Sequence, residues 1–565
     1  MVGDTPAWRS ALPRETDVLI VGGGPVGLSA ALELGRRGVR CLIVEPRATV
    51  SGLRPRAKTT NIRTMEHFRR WGLADRLREV APLKVDWSQD IVFCTTLLGP
   101  EVLRFGDCLG VSPQRTERFP ESGQQIAQPL VEEVLREAVG DLTSCQLCLG
   151  WSLHALQQRA DGVRATLADE WGGQQEVAAA YLLGCDGARS VVRAAIGVRY
   201  AGTSDQRPNF GVVFRAPGLA ERQPHGPALQ YWVLDPACPG LLGRMDLGDR
   251  WWLIANGVPA EVGQADPLAL IRGLVGGAID AKILGTDPWT ARMLLADRYR
   301  AGRVFLAGDA AHLNPPWGGH GFNTGIGDAV NIGWKLAATL GGWGGDALLD
   351  SYEAERRPIA EQTIAEATAN MRVLAPELGD RELTVAGPAG ERARRAAALA
   401  IRAAKDREFH SLGLVLGYTY DTSPVIVDEG TPAPPAGQDY TPTARPGARL
   451  PHRWLPDGRS LYDGLGDGLT LLRLRDDGDT GPFVASAAAR GVPLRVLDLR
   501  DQVPAGDYGA ALLLVRPDQH VAWRGAAVDR TGAGALIERA CGVSRTSGAD
   551  AAPTGVRSAA HGRVG

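Results

Sequence analysis

A glycine-rich turn near the N-terminus has the composition of a phosphate-binding loop. Residues 22–27 read Gly-Gly-Gly-Pro-Val-Gly and fit the pattern G-x-G-x-x-G. In such a loop Gly22 allows the tight turn, Gly24 lets the backbone approach a pyrophosphate, and Gly27 lets the next helix pack on the preceding strand. Pro25 would open that helix, whose N-terminal N–H groups attract phosphate.

An acidic residue follows at the distance that a dinucleotide site requires. Glu45 ends the second predicted strand, 23 residues after Gly22, where a carboxylate can accept hydrogen bonds from both ribose hydroxyls. The turn and this acid predict a dinucleotide site, with a purely structural glycine turn as the alternative. They do not separate FAD from NAD.

A later segment favours a flavin. Residues 303–307 predict a buried strand that ends before Gly308-Asp309, a proline- and glycine-rich loop follows, and a helix opens near Asn323. An acid at the strand end can hold a ribityl hydroxyl. Free N–H groups at the helix start can face the flavin pyrimidine and stabilise negative charge on the reduced ring.

Three elements together carry a family resemblance. They are the glycine turn with Glu45, the sequence Cys-Asp-Gly-Ala-Arg-Ser at 185–190, and the Gly308-Asp309 segment. With them the chain resembles the class A flavoprotein monooxygenases, the aromatic hydroxylases that include para-hydroxybenzoate, phenol and 2,4-dichlorophenol hydroxylases and many polyketide-tailoring enzymes. The resemblance covers about residues 16–362.

The resemblance implies where the cofactor would lie. Asp309 would hold the ribityl chain, Pro315 would lie near the reactive flavin carbon, and residues 321–323 would face the pyrimidine edge through their backbone. The implied FAD-binding residues are Gly22, Gly24, Pro25, Gly27, Glu45, Pro46, Arg47, Arg56, Gln128, Asp186, Asp309, Gly321, Phe322 and Asn323. NADPH or NADH would be the co-substrate, and no metal is expected.

Further side chains are candidates for chemistry or substrate contact. Residues 54–68 resemble the loop that approaches the flavin in phenol and dichlorophenol hydroxylases, so Arg56 and Lys58 could reach the cofactor or the substrate; a solvated basic loop is the alternative. His320 stands where the family more often has glutamine, which indicates a tuning substitution or a catalytic imidazole. The catalytic candidates are Pro315, His320 and Lys58, and the substrate-contact candidates are Tyr231 and Trp232.

The elements that must position these residues predict an α/β protein. Residues 17–45 read as a βαβ unit, and residues 211–257, rich in β-branched and aromatic residues between Pro/Gly turns, read as an antiparallel sheet. A helix is predicted over 63–80 with a break at Gly72. The predicted fold is a Rossmann-type FAD-binding domain interleaved with an antiparallel-sheet substrate domain, plus a C-terminal domain that resembles the thioredoxin-like appendage of phenol hydroxylases.

The predicted domain boundaries follow from these elements and from composition. The C-terminal domain lacks C-x-x-C, so we expect it to serve structure or a subunit contact. The predicted segments are an N-terminal tail (1–16), an FAD-binding domain (17–200) containing a first part of the substrate layer (about 82–127), the substrate-binding sheet (201–297), the Gly-Asp part of the FAD domain with a helical segment (298–420), the thioredoxin-like domain (431–541) and a disordered tail (544–565).

The overall composition argues against nucleic acid and membranes as binding partners. The 565 residues include 62 basic and 64 acidic ones, for a net charge of −2, which offers no field that would steer the chain to nucleic acid. No apolar stretch is long enough to span a bilayer, and eight scattered cysteines suit a reducing compartment. We expect a cytoplasmic protein without nucleic-acid or membrane partners; whether it forms a homo-oligomer stays open.

The expected reaction is hydroxylation of a phenolic or other aromatic, polyketide-type small molecule with NAD(P)H and O₂. The resemblance implies that it proceeds through a flavin C4a-hydroperoxide. Baeyer–Villiger oxygenation, epoxidation and a catalytically inactive FAD-binding protein remain alternatives. A flavin reductase of the disulfide type would need a redox-active cysteine pair and usually a second dinucleotide motif, and neither is visible in the sequence.

Overall fold

The computed structural model of the protein describes residues 12–53, 56–372, 380–431, 433–434 and 436–543, without the side chains of 205 and 206. Residues 1–11 of the predicted N-terminal tail, all of the predicted tail 544–565, and residues 54–55 of the basic loop lie outside the described residues. Among the helices that are described, none combines the length and apolarity needed to cross a bilayer.

Strands and helices are mixed along the described part of the chain. The strands are β1 (Glu15–Val21), β2 (Cys41–Glu45), β3 (Thr59–Thr60), β4 (Ile91–Cys94), β5 (Glu101–Phe105), β6 (Gln124–Gln125), β7 (Cys145–Leu149), β8 (Trp151–Gln158), β9 (Val163–Asp169), β10 (Gln174–Gly184), β11 (Tyr200–Arg215), β12 (Gln230–Val233), β13 (Gly240–Arg244), β14 (Arg250–Asn256), β15 (Lys282–Ala296), β16 (Arg300–Ala301), β17 (Val304–Leu306), β18 (His312–Leu313), β19 (Leu469–Arg473), β20 (Leu494–Asp498), β21 (Leu512–Val515) and β22 (Val521–Gly525). The α-helices are α1 (Pro25–Gly35), α2 (Ile62–Arg70), α3 (Ala74–Val80), α4 (Gln128–Gly140), α5 (Val191–Ala195), α6 (Leu219–Arg222), α7 (Ala260–Ala265), α8 (Pro267–Val275), α9 (His320–Leu340), α10 (Asp346–Arg372), α11 (Pro388–Phe409), α12 (Leu412–Leu416), α13 (Gly481–Ala489) and α14 (Arg530–Ala540).

The first sheet has a parallel core. β1 pairs in parallel with β2 and β10, β2 with β7, and β10 with β17. The predicted βαβ unit is therefore confirmed. Because parallel strands end at one edge of a sheet, the glycine turn after Val21, the carboxylate of Glu45 and the Gly308-Asp309 turn meet at that edge.

The second sheet is mostly antiparallel and runs in the order β18-β15-β11-β14-β13-β12-β4-β5. Its strands β4 and β5 come from the chain before β10 of the first sheet, so the two units are interleaved. Side chains alternate between its two faces. The back face packs on helix α8 through the apolar cluster that contains Tyr231, Trp251 and Leu274, and the front face carries Trp232 and Trp252.

The third sheet lies in the C-terminal region in the order β20-β19-β21-β22. β19 pairs in parallel with β20 and antiparallel with β21, and helices α13 and α14 complete a βαβ unit followed by a ββα unit. The predicted α/β fold class is confirmed. The predicted break at Gly72 is also confirmed, since α2 and α3 are separate helices and Gly72 has a φ of 77°.

Fully buried charges join the third sheet to the rest of the molecule. The guanidinium of Arg516 donates two hydrogen bonds to Glu355 of α10, at 2.6 and 2.8 Å, and Lys335 of α9 donates to the same carboxylate at 2.6 Å. Burial alone would raise the pKa of Glu355, but Arg516 and Lys335 outweigh burial and hold that pKa far below its usual range. Removing the carboxylate would leave the buried Lys335 without its paired counter-charge and Arg516 with Asp518 as its remaining paired carboxylate.

We predict that Glu355→Gln lowers the free energy of unfolding by about 3–5 kcal/mol, because Lys335 stays buried and loses the carboxylate with which it is paired. The control is Glu361→Gln, an exposed position on the same helix, which should change stability by less than about 0.5 kcal/mol. Urea-unfolding midpoints at neutral pH compare the two. Because the folded-state pKa of Glu355 is lowered, its contribution to the free energy of unfolding is present at neutral pH. That contribution is lost as the pH falls through the folded-state pKa. Equal midpoints would contradict the network's role.

Candidate active site

A cavity of about 870 Å³ connects the edge of the parallel sheet to the front face of the antiparallel sheet. Small-molecule sites usually measure ~300–1,000 Å³. Its cofactor half is lined by Gly22, Gly24, Pro25, Glu45, Pro46, Arg47, Gln128, Asp309, Gly321 and Phe322. Its sheet half is lined by Gln230, Trp232, Leu241, Ile254, Trp289, Trp317 and Phe409. The structure thus brings most of the predicted cofactor residues into one cavity with an aromatic pocket.

The three glycines that define the G-x-G-x-x-G pattern have different roles. A Cβ on Gly22 would lie 2.3 Å from the carbonyl oxygen of Cys185, and one on Gly27 would lie 1.9 Å from the carbonyl oxygen of Gly22, so these two allow close backbone packing. A Cβ on Gly24 would meet nothing within 4 Å. No side chain caps the N-terminus of α1. Open space beside uncapped N–H groups fits a pyrophosphate.

Glu45 is held rigidly beside this turn. One carboxylate oxygen accepts from the Gly23 N–H at 2.9 Å, and the other accepts from the Arg47 N–H and Nε at 3.0 and 2.6 Å. These bonds fix the carboxylate at the cavity wall beside the glycine turn. Gln128, at the start of α4, completes this wall and donates its backbone N–H to Ala57.

Asp309 turns its carboxylate towards the cavity. Within the described residues, no protein group donates a hydrogen bond to that carboxylate, while the backbone carbonyl accepts from the hydroxyl of Tyr200. Enclosure by protein raises the pKa of Asp309, and the nearby His312 and Arg56 only partly offset this rise. The carboxylate is therefore available to a ligand hydroxyl.

The loop that carries Asp309 is anchored from below by Asp328 of α9. The Asp328 carboxylate accepts from the Gly308 N–H at 3.1 Å, from His312 Nε2 at 2.8 Å and from Arg356 Nε at 2.8 Å. Burial would lower the pKa of His312, but Asp328 outweighs it and raises that pKa. A charged His312 donates through Nδ1 to the Asn314 side chain at 2.9 Å.

Helix α9 begins at His320 with its first N–H groups uncapped by a side chain. Gly321 and Phe322 line the cavity there. Asn323 lies just behind them; its side chain donates to the Thr59 and Gly319 carbonyls and accepts from the Asn61 N–H, which leaves the prediction for its backbone N–H open. Asn323 therefore ties β3 to the helix start.

Two of the three catalytic candidates line the cavity. His320 lines the cavity, but burial lowers its pKa to about 4, so its imidazole is neutral at neutral pH. Lys58 also lines the cavity, with Nζ 4.0 Å from the ring centroid of Trp252. Pro315 does not line it; the neighbouring Pro316 does.

The two substrate-contact candidates lie on opposite faces of β12. Trp232 is on the front face, where it lines the cavity and stacks on Phe93 at a centroid distance of 5.3 Å. Tyr231 is turned to the back face, and its hydroxyl donates to the Gly226 carbonyl at 2.5 Å. The structure does not bring Tyr231 to the cavity, because a strand alternates its side chains.

Two further predicted cofactor residues have local roles. The Asp186 carboxylate accepts from the Ser190 hydroxyl at 2.5 Å and from the Val192 N–H at 3.0 Å, which holds the start of α5. Arg56 lines the cavity with a left-handed φ of 47°. Its backbone carbonyl accepts from Lys58 Nζ at 3.2 Å.

Several lining residues were not named from the sequence. They are Leu109, Gln230, Leu241, Ile254, Trp289, Asn314, Trp317, Glu408 and Phe409. The period-two alternation of β12 could have found Gln230 once Trp232 was chosen, and Trp317 stands in the proline-glycine loop. Nothing in the sequence signals Glu408 and Phe409, which end a long surface-like helix.

Comparison with known protein families decides the assignment. Residues 15–367 match the family described as FAD binding domain, and residues 443–543 match the one described as Aromatic-ring hydroxylase, C-terminal. The chain belongs to the FAD-dependent aromatic-ring hydroxylases. The predicted family, monooxygenase class and FAD cofactor are confirmed.

Relatives of this hydroxylase match over nearly their whole length. The chain is 33% identical over 588 residues to phenol 2-monooxygenase of Pseudomonas sp. (strain EST1001), and the alignment covers 92% of this chain and 91% of the relative. It is 33% identical over 545 residues to aklavinone 12-hydroxylase RdmE of Streptomyces purpurascens, covering 90% and 95%. The solved structure of the rebeccamycin biosynthetic enzyme RebC with reduced flavin superposes with a TM-score of 0.85 at 37% identity, covering 94% of this chain and 100% of that one.

We predict that Gly24→Ala weakens FAD binding to the hydroxylase without unfolding the apoprotein. The added methyl group has room in the protein but would occupy space next to the uncapped N–H groups, and such crowding costs ~1–3 kcal/mol, or about five- to a hundredfold in Kd. Titration of apoprotein with FAD measures the change. Gly140→Ala, whose Cβ would also meet nothing within 4 Å, is the control. Identical FAD affinity in the two variants would refute the placement of the pyrophosphate.

Proposed function

We propose that this protein uses NAD(P)H and O₂ to hydroxylate a phenolic, polyketide-type aromatic molecule, and that it binds that molecule in the sheet half of the cavity. The observation that carries the proposal is the continuity of the cavity from the FAD-binding turn to the aromatic side chains of the front face. A flat substrate held there would lie between those side chains and the cofactor.

The residues of the cofactor half divide the task of holding FAD. The N-terminus of α1, next to Gly24, would bind the pyrophosphate, and Glu45 would accept from the ribose hydroxyls. Asp309 would accept from the ribityl chain, and the first N–H groups of α9 would face the pyrimidine edge. When bound, FAD supplies the redox and oxygen-activating chemistry.

The sheet half would exclude water and orient the substrate. Trp232, Trp289 and Phe409 offer flat apolar surfaces against which an aromatic ring can pack, with a gain of about 0.5–1.5 kcal/mol for each well-placed aromatic pair beyond simple burial. Gln230, Lys58 and Glu408 are the polar side chains that line the cavity among these rings. Water kept from the reacting atoms cannot divert the activated oxygen into peroxide.

The names of related proteins support an aromatic, polyketide-type substrate. One is aklavinone-11 hydroxylase in a ternary complex with FAD and aklavinone, which superposes with a TM-score of 0.80 at 30% identity and covers 94% of this chain. The comparisons give no support to Baeyer–Villiger oxygenation or epoxidation over hydroxylation.

We predict that the FAD-loaded protein, given NADPH or NADH and isotope-labelled O₂, inserts one labelled oxygen atom into a hydroxylated anthraquinone or naphthol. Nicotinamide consumption should match product formation. In Trp289→Ala, a larger share of the consumed nicotinamide should appear as hydrogen peroxide, because water gains access; Trp171→Ala, at a position 54% exposed, is the control. If every aromatic tested yields only peroxide with the unaltered protein, the proposed function is wrong.

A further inference from the structure

Lys58 has a fixed position in the sheet half of the cavity. The role inferred for it rests on the proposed function. The backbone around it is fixed, since the Ile126 N–H donates to the Lys58 carbonyl at 3.0 Å and the Gln128 N–H donates to the Ala57 carbonyl at 2.8 Å. Its side chain reaches the front face, where Nζ lies 4.0 Å from the ring centroid of Trp252. The ammonium also donates to the Arg56 carbonyl at 3.2 Å.

Within the described residues, this ammonium has no carboxylate partner. The other titratable side chains that line the cavity are Glu45, Arg47, Arg56, Cys185, Asp186, Arg189, Asp309, His320 and Glu408. Glu408 is already paired with the buried Lys405 at 2.8 Å, and His320 is neutral. Glu45 and Asp186 are engaged in the cofactor half.

The missing counter-charge has an electrostatic consequence. Enclosure by protein lowers the pKa of Lys58 to about 8, and no acidic group offsets that loss of hydration. An anion bound beside Nζ would supply the offset and keep the lysine charged. A Trp face beneath the ammonium stabilises the cation and leaves its remaining N–H groups free to point into the cavity.

We propose that Lys58 is the counter-ion of an ionised hydroxyl of the substrate, so that the site selects an acidic phenol or enol. A lysine ammonium is a compact point charge that suits a single oxygen, whereas a carboxylate is better matched by the two-pronged guanidinium of arginine. Ionising the hydroxyl releases its proton to solvent and makes the ring more nucleophilic, which favours attack on an electrophilic oxygen.

The test is equilibrium binding to the oxidised FAD-loaded protein, with no nicotinamide and no turnover. The probe is 4-nitro-1-naphthol, whose phenolate colour reports its ionisation, and 1-nitronaphthalene is the neutral match. In Lys58→Met, binding of the phenolate should weaken about ten- to a hundredfold, the loss of one charge-assisted hydrogen bond, and the pKa of the bound probe should rise. Binding of 1-nitronaphthalene and flavin content should stay unchanged, and Lys58→Arg should restore part of the phenolate affinity.

The control and the contrary outcomes separate this inference from the proposed function. Lys84→Met changes an exposed lysine that donates to the Arg78 and Glu79 carbonyls and should bind both probes normally. Unchanged phenolate affinity in Lys58→Met would overturn the inference, and so would a Lys58-dependent preference for 4-nitro-1-naphthoate over the phenolate. Because no oxygen is transferred in this assay, its result is independent of whether the protein hydroxylates any substrate.

Discussion

The geometry of the site depends on the hydrogen bonds that the buried carboxylate of Asp328 accepts. Burial alone would raise its pKa, but His312 and Arg356 outweigh burial and keep that pKa below its usual range. Through these partners one charge fixes the Gly308-Asp309 turn, the strand that follows it and the packing of α9 on α10. Arg356 continues the chain of contacts to the Tyr420 hydroxyl and the Thr324 carbonyl.

This anchoring explains how irregular backbone can form a rigid site. The N-termini of α1 and α9 both leave N–H groups uncapped by side chains, which in a protein core needs either water or a ligand. Both helix starts face the same cavity, and the strands beneath them end at one sheet edge. The antiparallel sheet closes the far side with aromatic side chains, so one space has a polar end at the glycine turn and an aromatic end at the front face.

The sequence was sufficient to predict site residues where the local backbone geometry allows only one residue type or fixes the residue's position. Gly22 and Gly27 have no room for a Cβ, and Glu45 and Asp309 stand at strand ends where the chain order already puts them.

The sequence was insufficient where long-range packing decides which side chains reach the cavity. Tyr231 and Trp232 are equally aromatic, and only the sheet's register determines which of them faces the cavity. Phe409 reaches the cavity because α11 crosses from far along the chain, and the partners that occupy the Asn323 side chain could not be foreseen.

We expect one continuous cavity to hold FAD at the parallel-sheet edge and to present the flavin to the aromatic front face. A crystal structure of the FAD-loaded protein tests this most directly. We expect electron density for the pyrophosphate against the backbone at Gly24 and Pro25 and for the flavin pyrimidine edge at Gly321 and Phe322. The flavin ring should face Trp232 and Phe409. A flavin ring separated from that aromatic surface by protein, or a pyrophosphate bound away from α1, would contradict it.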